Sequence, residues 1–89
     1  MRGGNEKWYK KPNIKSVKFH VEKGDTVVII GGGKGVSSIV ASRCCGGEGK
    51  VIVFEGSKKR AKELTKVVRI NGCEDIVEIR NKVIARNTT

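Results

Sequence analysis

Aromatic residues are scarce. Trp8, Tyr9, Phe19 and Phe54 make up 4% of the 89 positions, which leaves few rings for stacking on nucleic-acid bases. The three cysteines, Cys44, Cys45 and Cys73, are odd in number and lack C-x-x-C spacing. They do not make a disulfide framework, and with His20 as the only histidine a four-ligand zinc site runs short of ligands. No metal is expected, and the thiols read as reduced and buried or half-buried. No apolar run approaches the roughly 20 residues that span a bilayer. The opening stretch MRGGNEKWYKK has no apolar core of a secretory signal. A cytoplasmic location without a membrane partner is the expectation.

Acidic residues are few as well: nine Asp and Glu face nineteen Lys and Arg, for a formal net charge of +10. Such a balance favours polyanions as partners, through phosphate neutralisation and counterion release. The cations are spread along the chain, from Lys7, Lys10, Lys11, Lys15 and Lys18 to Lys58, Lys59, Arg60, Lys62, Lys66 and Arg69. A solvated Lys-rich surface, as in heat-adapted proteins, explains them as well as nucleic-acid contact does. With 37% hydrophobic and 31% charged residues the chain suits a globular domain. Its length allows one domain with a thin core, burying about 60–65% of its unfolded surface.

Residues 1–15 read as a basic, flexible arm, kept non-helical by Pro12. Residues 16–89 read as one domain. Val17, Phe19 and Val21 alternate with Lys18 and His20, which predicts a half-buried strand over 16–21. The β-branched run Thr26–Ile30 predicts a strand covered on both faces. After a glycine loop, Val36–Cys45 predicts a helix with Val36, Ile39, Val40 and Cys44 inward, ended by glycines at 46 and 47. Val51–Phe54 predicts a second buried strand. Ser57 is a good N-cap for a helix over 58–70, with Ala61, Leu64 and Val68 on its buried stripe and Asn71-Gly72 as its stop. Ile76–Ile79 predicts a third strand, and the tail carries a small apolar patch, Val83-Ile84-Ala85. Right-handed crossovers then give an α/β, three-layer, half-Rossmann fold: a parallel sheet of order 3-2-1 with helices packed on it, plus a possible N-terminal extra strand.

The sharpest motif is Gly31-x-Gly33-x-Gly35, between a buried strand and a helix. Glycines let the loop turn tightly and let a ligand approach the backbone. The helix start adds free amides and the positive dipole end. Glu55 follows the second strand, 20 positions after Gly35. In βαβ nucleoside-binding folds an acid there accepts hydrogen bonds from both ribose hydroxyls. The phosphate-loop pattern fails, because Lys34 is misplaced for it. The dinucleotide pattern fails too, because Val36 holds its last glycine position.

G-x-G-x-G followed by such an acid resembles the class I S-adenosylmethionine-dependent methyltransferases, most closely the FkbM-like branch. The resemblance runs from about Val21 to Ala85. It covers the turn Lys23-Gly24-Asp25 before the first strand, the glycine loop, the strand Val51–Glu55 ending in its acid, and Asn71-Gly72 before the third strand. It implies S-adenosylmethionine as cofactor. Gly31, Gly32, Gly33 and Gly35 would pass under its methionine and ribose, Glu55 would hold the ribose hydroxyls, Gly56 and Ser57 would flank the adenine, and Asn81 would edge the ring.

Two departures follow. Ile29 stands where the family carries an acid that helps to hold the methionine end. Losing one charge-assisted hydrogen bond costs about 1.5–3 kcal/mol, or roughly 10–150-fold in affinity. The family's fourth strand, which meets the substrate, has no counterpart, so no catalytic residue carries over. The expectation is a truncated methyltransferase-like protein that binds S-adenosylmethionine weakly and does not catalyse alone. The alternatives are a small basic nucleic-acid-binding module on the same framework, or a remnant without function. In this reading Thr26–Ile30 becomes an open apolar edge. Residues 16–21 folding back would cover it, and so would a second copy pairing edge to edge in a homodimer.

Overall fold

In a computed structural model of the chain, residues 6–31, 33 and 35–84 are described here. Seven elements follow in the order β1 (Glu6–Lys10), α1 (Ile14–His20), β2 (Thr26–Ile30), α2 (Val36–Cys45), β3 (Lys50–Phe54), α3 (Lys58–Ile70) and β4 (Val77–Arg80). The strands form one sheet in the order β1-β2-β3-β4, with every pairing parallel. The chain is therefore α/β, with a four-stranded parallel sheet and helices packed on it in a half-Rossmann-like arrangement. The three expected strands stand side by side in the expected sequence, as β4-β3-β2, and β1 extends the row beyond β2.

Two parts of the N-terminal reading are corrected. The stretch read as a loose arm supplies β1 from residues 6–10, while residues 1–5 lie outside the described residues. The expected strand over 16–21 is instead α1. Asn13 caps that helix by accepting from the Ser16 N–H at 2.8 Å. Val17 and Val21 are buried as an i, i+4 pair, while Phe19, which alternation placed beside them, is 83% exposed. β1 also covers the edge of Thr26–Ile30 within the same chain, which removes the reason for two copies to pair there. The outer edge now belongs to β1, a short strand carrying Lys7 and Lys10, a common way to blunt an edge.

All three helices share one face of the sheet. The core joins Val27, Ile29, Val51, Val53 and Val77 from the strands to Val17, Ala41, Cys45, Leu64 and Val68 from the helices. Each crossover steps the same way along the sheet, and right-handed crossovers stepping one way place their helices on one side. Two layers result, and no described residue forms the expected third. α3 buries Ala61, Leu64 and Val68 as expected. α2 most deeply buries Ser38, Ala41, Ser42 and Cys45. Of the residues expected inward, Ile39, Val40 and Cys44 are partly buried against the core, while Val36 is exposed. Small side chains let α2 lie close to β2 and β3. The Ser38 hydroxyl is fully buried and has no hydrogen-bond partner among the described residues. Cys44, Cys45 and Cys73 are free thiols, half-buried or buried. No described helix is long and apolar enough to cross a membrane.

The amino end of the sheet is tied together around Asp25. Its carboxylate accepts from the Glu22 N–H at 2.7 Å and pairs with the Lys7 ammonium at 3.0 Å. Its carbonyl accepts from the Lys50 N–H at 3.0 Å. Burial alone would raise the Asp25 carboxyl, but the Glu22 N–H and Lys7 outweigh it and hold it below its ordinary value.

Candidate functional site

The last register row across the sheet is Lys10, Ile30, Phe54 and Arg80. One residue further on, Lys11, Gly31, Glu55 and Asn81 leave the four strands in a line. Backbone bonds carry the ladder into this line: Lys11 N–H to Ile30 O at 3.0 Å, Gly31 N–H to Phe54 O at 2.8 Å and Glu55 N–H to Arg80 O at 2.9 Å. The fold thus brings together three of the residues singled out from sequence, Gly31, Glu55 and Asn81. Ligands of open α/β sheets bind outside this carboxyl end where the strand order reverses. Among the described strands the order β1-β2-β3-β4 has no such reversal, so the residues of this row, not the topology, mark the candidate site.

Glu55 is 7% exposed. Its Oε2 accepts from the Ser57 N–H at 3.0 Å, which fixes the carboxylate over the start of α3. No hydrogen bond among the described residues engages its Oε1. Ser57 itself caps α3, accepting from the Arg60 N–H at 3.2 Å. Asn81 donates from Nδ2 to Glu55 O at 2.9 Å and to Gly56 O at 3.1 Å. Its amide is thus committed to holding the loop after β3. Gly56 lies under Val83, where a Cβ would come 2.8 Å from the valine Cγ2.

The glycines divide by role. Gly31 has φ +83° and lies beneath the Lys11 side chain, so both its conformation and a close neighbour call for glycine. Gly33, at φ +57°, faces open space. Gly35, at φ +91°, is the N-cap of α2, and a Cβ there would lie 3.1 Å from Leu64 Cδ2. Its bareness serves the packing of α2 on α3. Gly32 and Lys34 lie outside the described residues.

An open cleft of about 360 Å³ separates the loop after β1 from the loop after β2, lined by Lys11, Asn13, Ile14, Gly31, Gly33 and Ser37 among others. Ser37 ties the two loops by donating to Pro12 O at 3.0 Å. The sequence reading missed Lys11, because its place depends on β1. It is the one non-glycine residue at positive φ among those described, at 46°. Such a conformation in a lysine costs of order 1 kcal/mol and is held here by the two flanking loops. Its aliphatic stem lies against Gly31, with Cγ 3.2 Å and Cε 3.6 Å from where a Cβ would stand, and brings a cationic side chain to the cleft, suited to an anionic ligand group. Ile29 is fully buried in the core on the helix side of the sheet and gives the cleft no acceptor. No protein-family model, curated protein or solved structure matches the chain, so the geometry of this row carries the functional argument.

Proposed function

We propose that the carboxyl end of the sheet, from the cleft beside Gly31 across to Glu55, weakly holds a ligand of the S-adenosylmethionine type, with its nucleoside end at Glu55. The observation that carries this reading is the buried Glu55 carboxylate, fixed by the Ser57 N–H in the same line as Gly31. Glu55 would accept from the ribose hydroxyls through its other oxygen. Gly31 and Gly33 would let the ligand lie on the backbone, and Gly56 and Ser57 would border the base. Asn81 would hold this loop in place. Lys11 would face the ligand's carboxylate, while buried Ile29 leaves its amino group without an acceptor. The free thiols suit a reducing compartment and hence the cytoplasm.

Titration with S-adenosylmethionine to millimolar concentration, followed by amide NMR, tests this. Shifts are expected at Gly31, Gly33, Glu55 and Ser57, and adenosine should reproduce those at Glu55 and Ser57. An unchanged spectrum would overturn the reading.

A second reading has its own observation. α3 exposes Lys58, Lys59, Arg60, Lys62, Lys66 and Arg69 with only Glu63 to oppose them, and none of the six makes an ion pair among the described residues. Such a face suits a polyanion such as nucleic acid. Affinity for RNA or DNA should then fall steeply with salt, and a flat dependence of log K on log salt would remove phosphate contact as its basis. A remnant without function would bind neither ligand.

A further inference from the structure

Strand residues of even number point away from the helices. In the middle they give the sheet an apolar strip, with Trp8 on β1, Val28 and Ile30 on β2, and Ile52 and Phe54 on β3. Trp8 is 58% exposed, and Ile84 adds a further apolar side chain beside an open hollow of about 480 Å³ next to Trp8, Lys10 and Ile30. Parallel sheets are almost always covered on both faces. Val28 is 4% exposed and Ile30, Ile52 and Phe54 are half-buried, so Trp8 and Ile84 supply the exposed apolar surface of this face among the described residues. Paired exposed apolar side chains beside a hollow suit an interaction site.

Charge says which cover fits. The rim carries Glu6, Lys10, Lys50, Glu78 and Arg80, three cations against two anions. Two of those cations are already matched: Glu78 pairs with Lys50 at 3.2 Å and with Arg80. Arg80 also lies over the Phe54 ring, 5.7 Å from its centre. Little positive charge is left free there for phosphates. The cations of α3 project from the helix side, behind the sheet. Of the two faces, this nearly neutral one is where two chains of net charge +10 can meet without strong repulsion.

We propose that the face of the sheet turned away from the helices, on which no described helix or strand packs, is a self-association surface, where a second copy stacks the same face about a twofold axis. Stacked sheets lie about 10 Å apart with their side chains interdigitating. Four short strands offer a footprint of about 300–400 Å² per copy. That is below the roughly 800 Å² per partner of a tight interface. Association is therefore expected to be weak and reversible, seen at high concentration of the chain. This face is separate from the cleft beside Gly31, and the two share no lining residue.

The test is sedimentation equilibrium of the full chain from about 5 µM to 1 mM, beside the emission of Trp8, the only tryptophan. Weight-average mass should rise towards twice the chain mass, with the Trp8 emission moving to shorter wavelength over the same range. Added salt should strengthen association, because it screens repulsion between two cationic copies. Trp8→Glu, at an exposed position, should keep the circular dichroism of the parent and weaken association tenfold or more. Ile84→Glu, outside the sheet, should weaken it by a smaller factor. A monomer at 1 mM would overturn the proposal, as would a dimer indifferent to both variants. So would quenching of Trp8 by oligothymidylate with the mass still that of one chain, which would give the face to single-stranded nucleic acid.

Discussion

The two ends of the sheet use the same ladder of backbone bonds and do opposite things with their polar groups. At the amino end, Asp25 meets Glu22, Lys7 and Lys50 by side chain and backbone, and Gly24 donates to Cys45 O at 2.8 Å. Its groups face one another. At the carboxyl end, Gly33 faces open space, no described residue hydrogen-bonds the second oxygen of Glu55, and Lys11 is held at positive φ beside an open cleft. A small sheet with few aromatics needs one end closed so that the other can be left open. If so, damage at the amino end should appear as lost stability, and damage at the carboxyl end chiefly as lost binding.

The largest effect is expected at Gly49. A methyl group there would lie 2.6 Å from the Asp25 carbonyl oxygen and 2.6 Å from Cys45 Cβ, and neither can move without shifting β2 or α2. Gly49→Ala should cost about 3 kcal/mol by overpacking, measured by urea unfolding. A cost under about 0.5 kcal/mol would mean that the closed end is not rigid.

Asp25→Asn comes next. It removes the charge that both Lys7 and the Glu22 N–H address, at a cost of about 2 kcal/mol at neutral pH. The folded carboxyl titrates below its ordinary value of 3.8. Its contribution is therefore complete above that value and is lost as pH falls through the folded one. The stability gap between parent and variant should be constant at neutral pH and close below about pH 4. A gap independent of pH down to 2 would show that the carboxylate charge contributes nothing.

The middle of the sheet and its carboxyl end were legible in the sequence, whereas the closure around Asp25 was not, because it depends on Lys7 of β1. The runs at 26–30 and 51–54 fit buried parallel strands, and Ser57 and Asn71-Gly72 bound α3 where they were expected to. Gly31, Glu55 and Asn81 were legible because each directly follows a strand. The N-terminal quarter was not. Val17, Phe19 and Val21 fit a period of two, but Val17 and Val21 also fit one turn of helix, and seven residues cannot decide between the two. Glu6–Lys10 has no buried strip of its own, so only its pairing with β2 makes it a strand. The open face and Lys11 both depend on β1 and were hidden with it.

Gly33→Ala should have a smaller effect. The space beside Gly33 is open, so the cost is the φ of +57° alone, about 1 kcal/mol. Ligand contact with the loop should suffer more than folding does.

The smallest stability effect, and the sharpest contrast, belongs to Glu55→Gln. The amide oxygen of glutamine can still accept from the Ser57 N–H, so the start of α3 keeps its partner. Stability should change by less than about 0.5 kcal/mol, the range of substitutions that break no special feature. What the variant loses is the charge that a ribose diol would address, worth about 1.5–3 kcal/mol when the hydrogen bonds are charge-assisted. S-adenosylmethionine should therefore bind roughly 10–150-fold more weakly, with the unfolding midpoint nearly unmoved. Equal loss of stability and binding would mean that Glu55 belongs to the framework, as Asp25 does, and that the two ends of the sheet are closed in the same way.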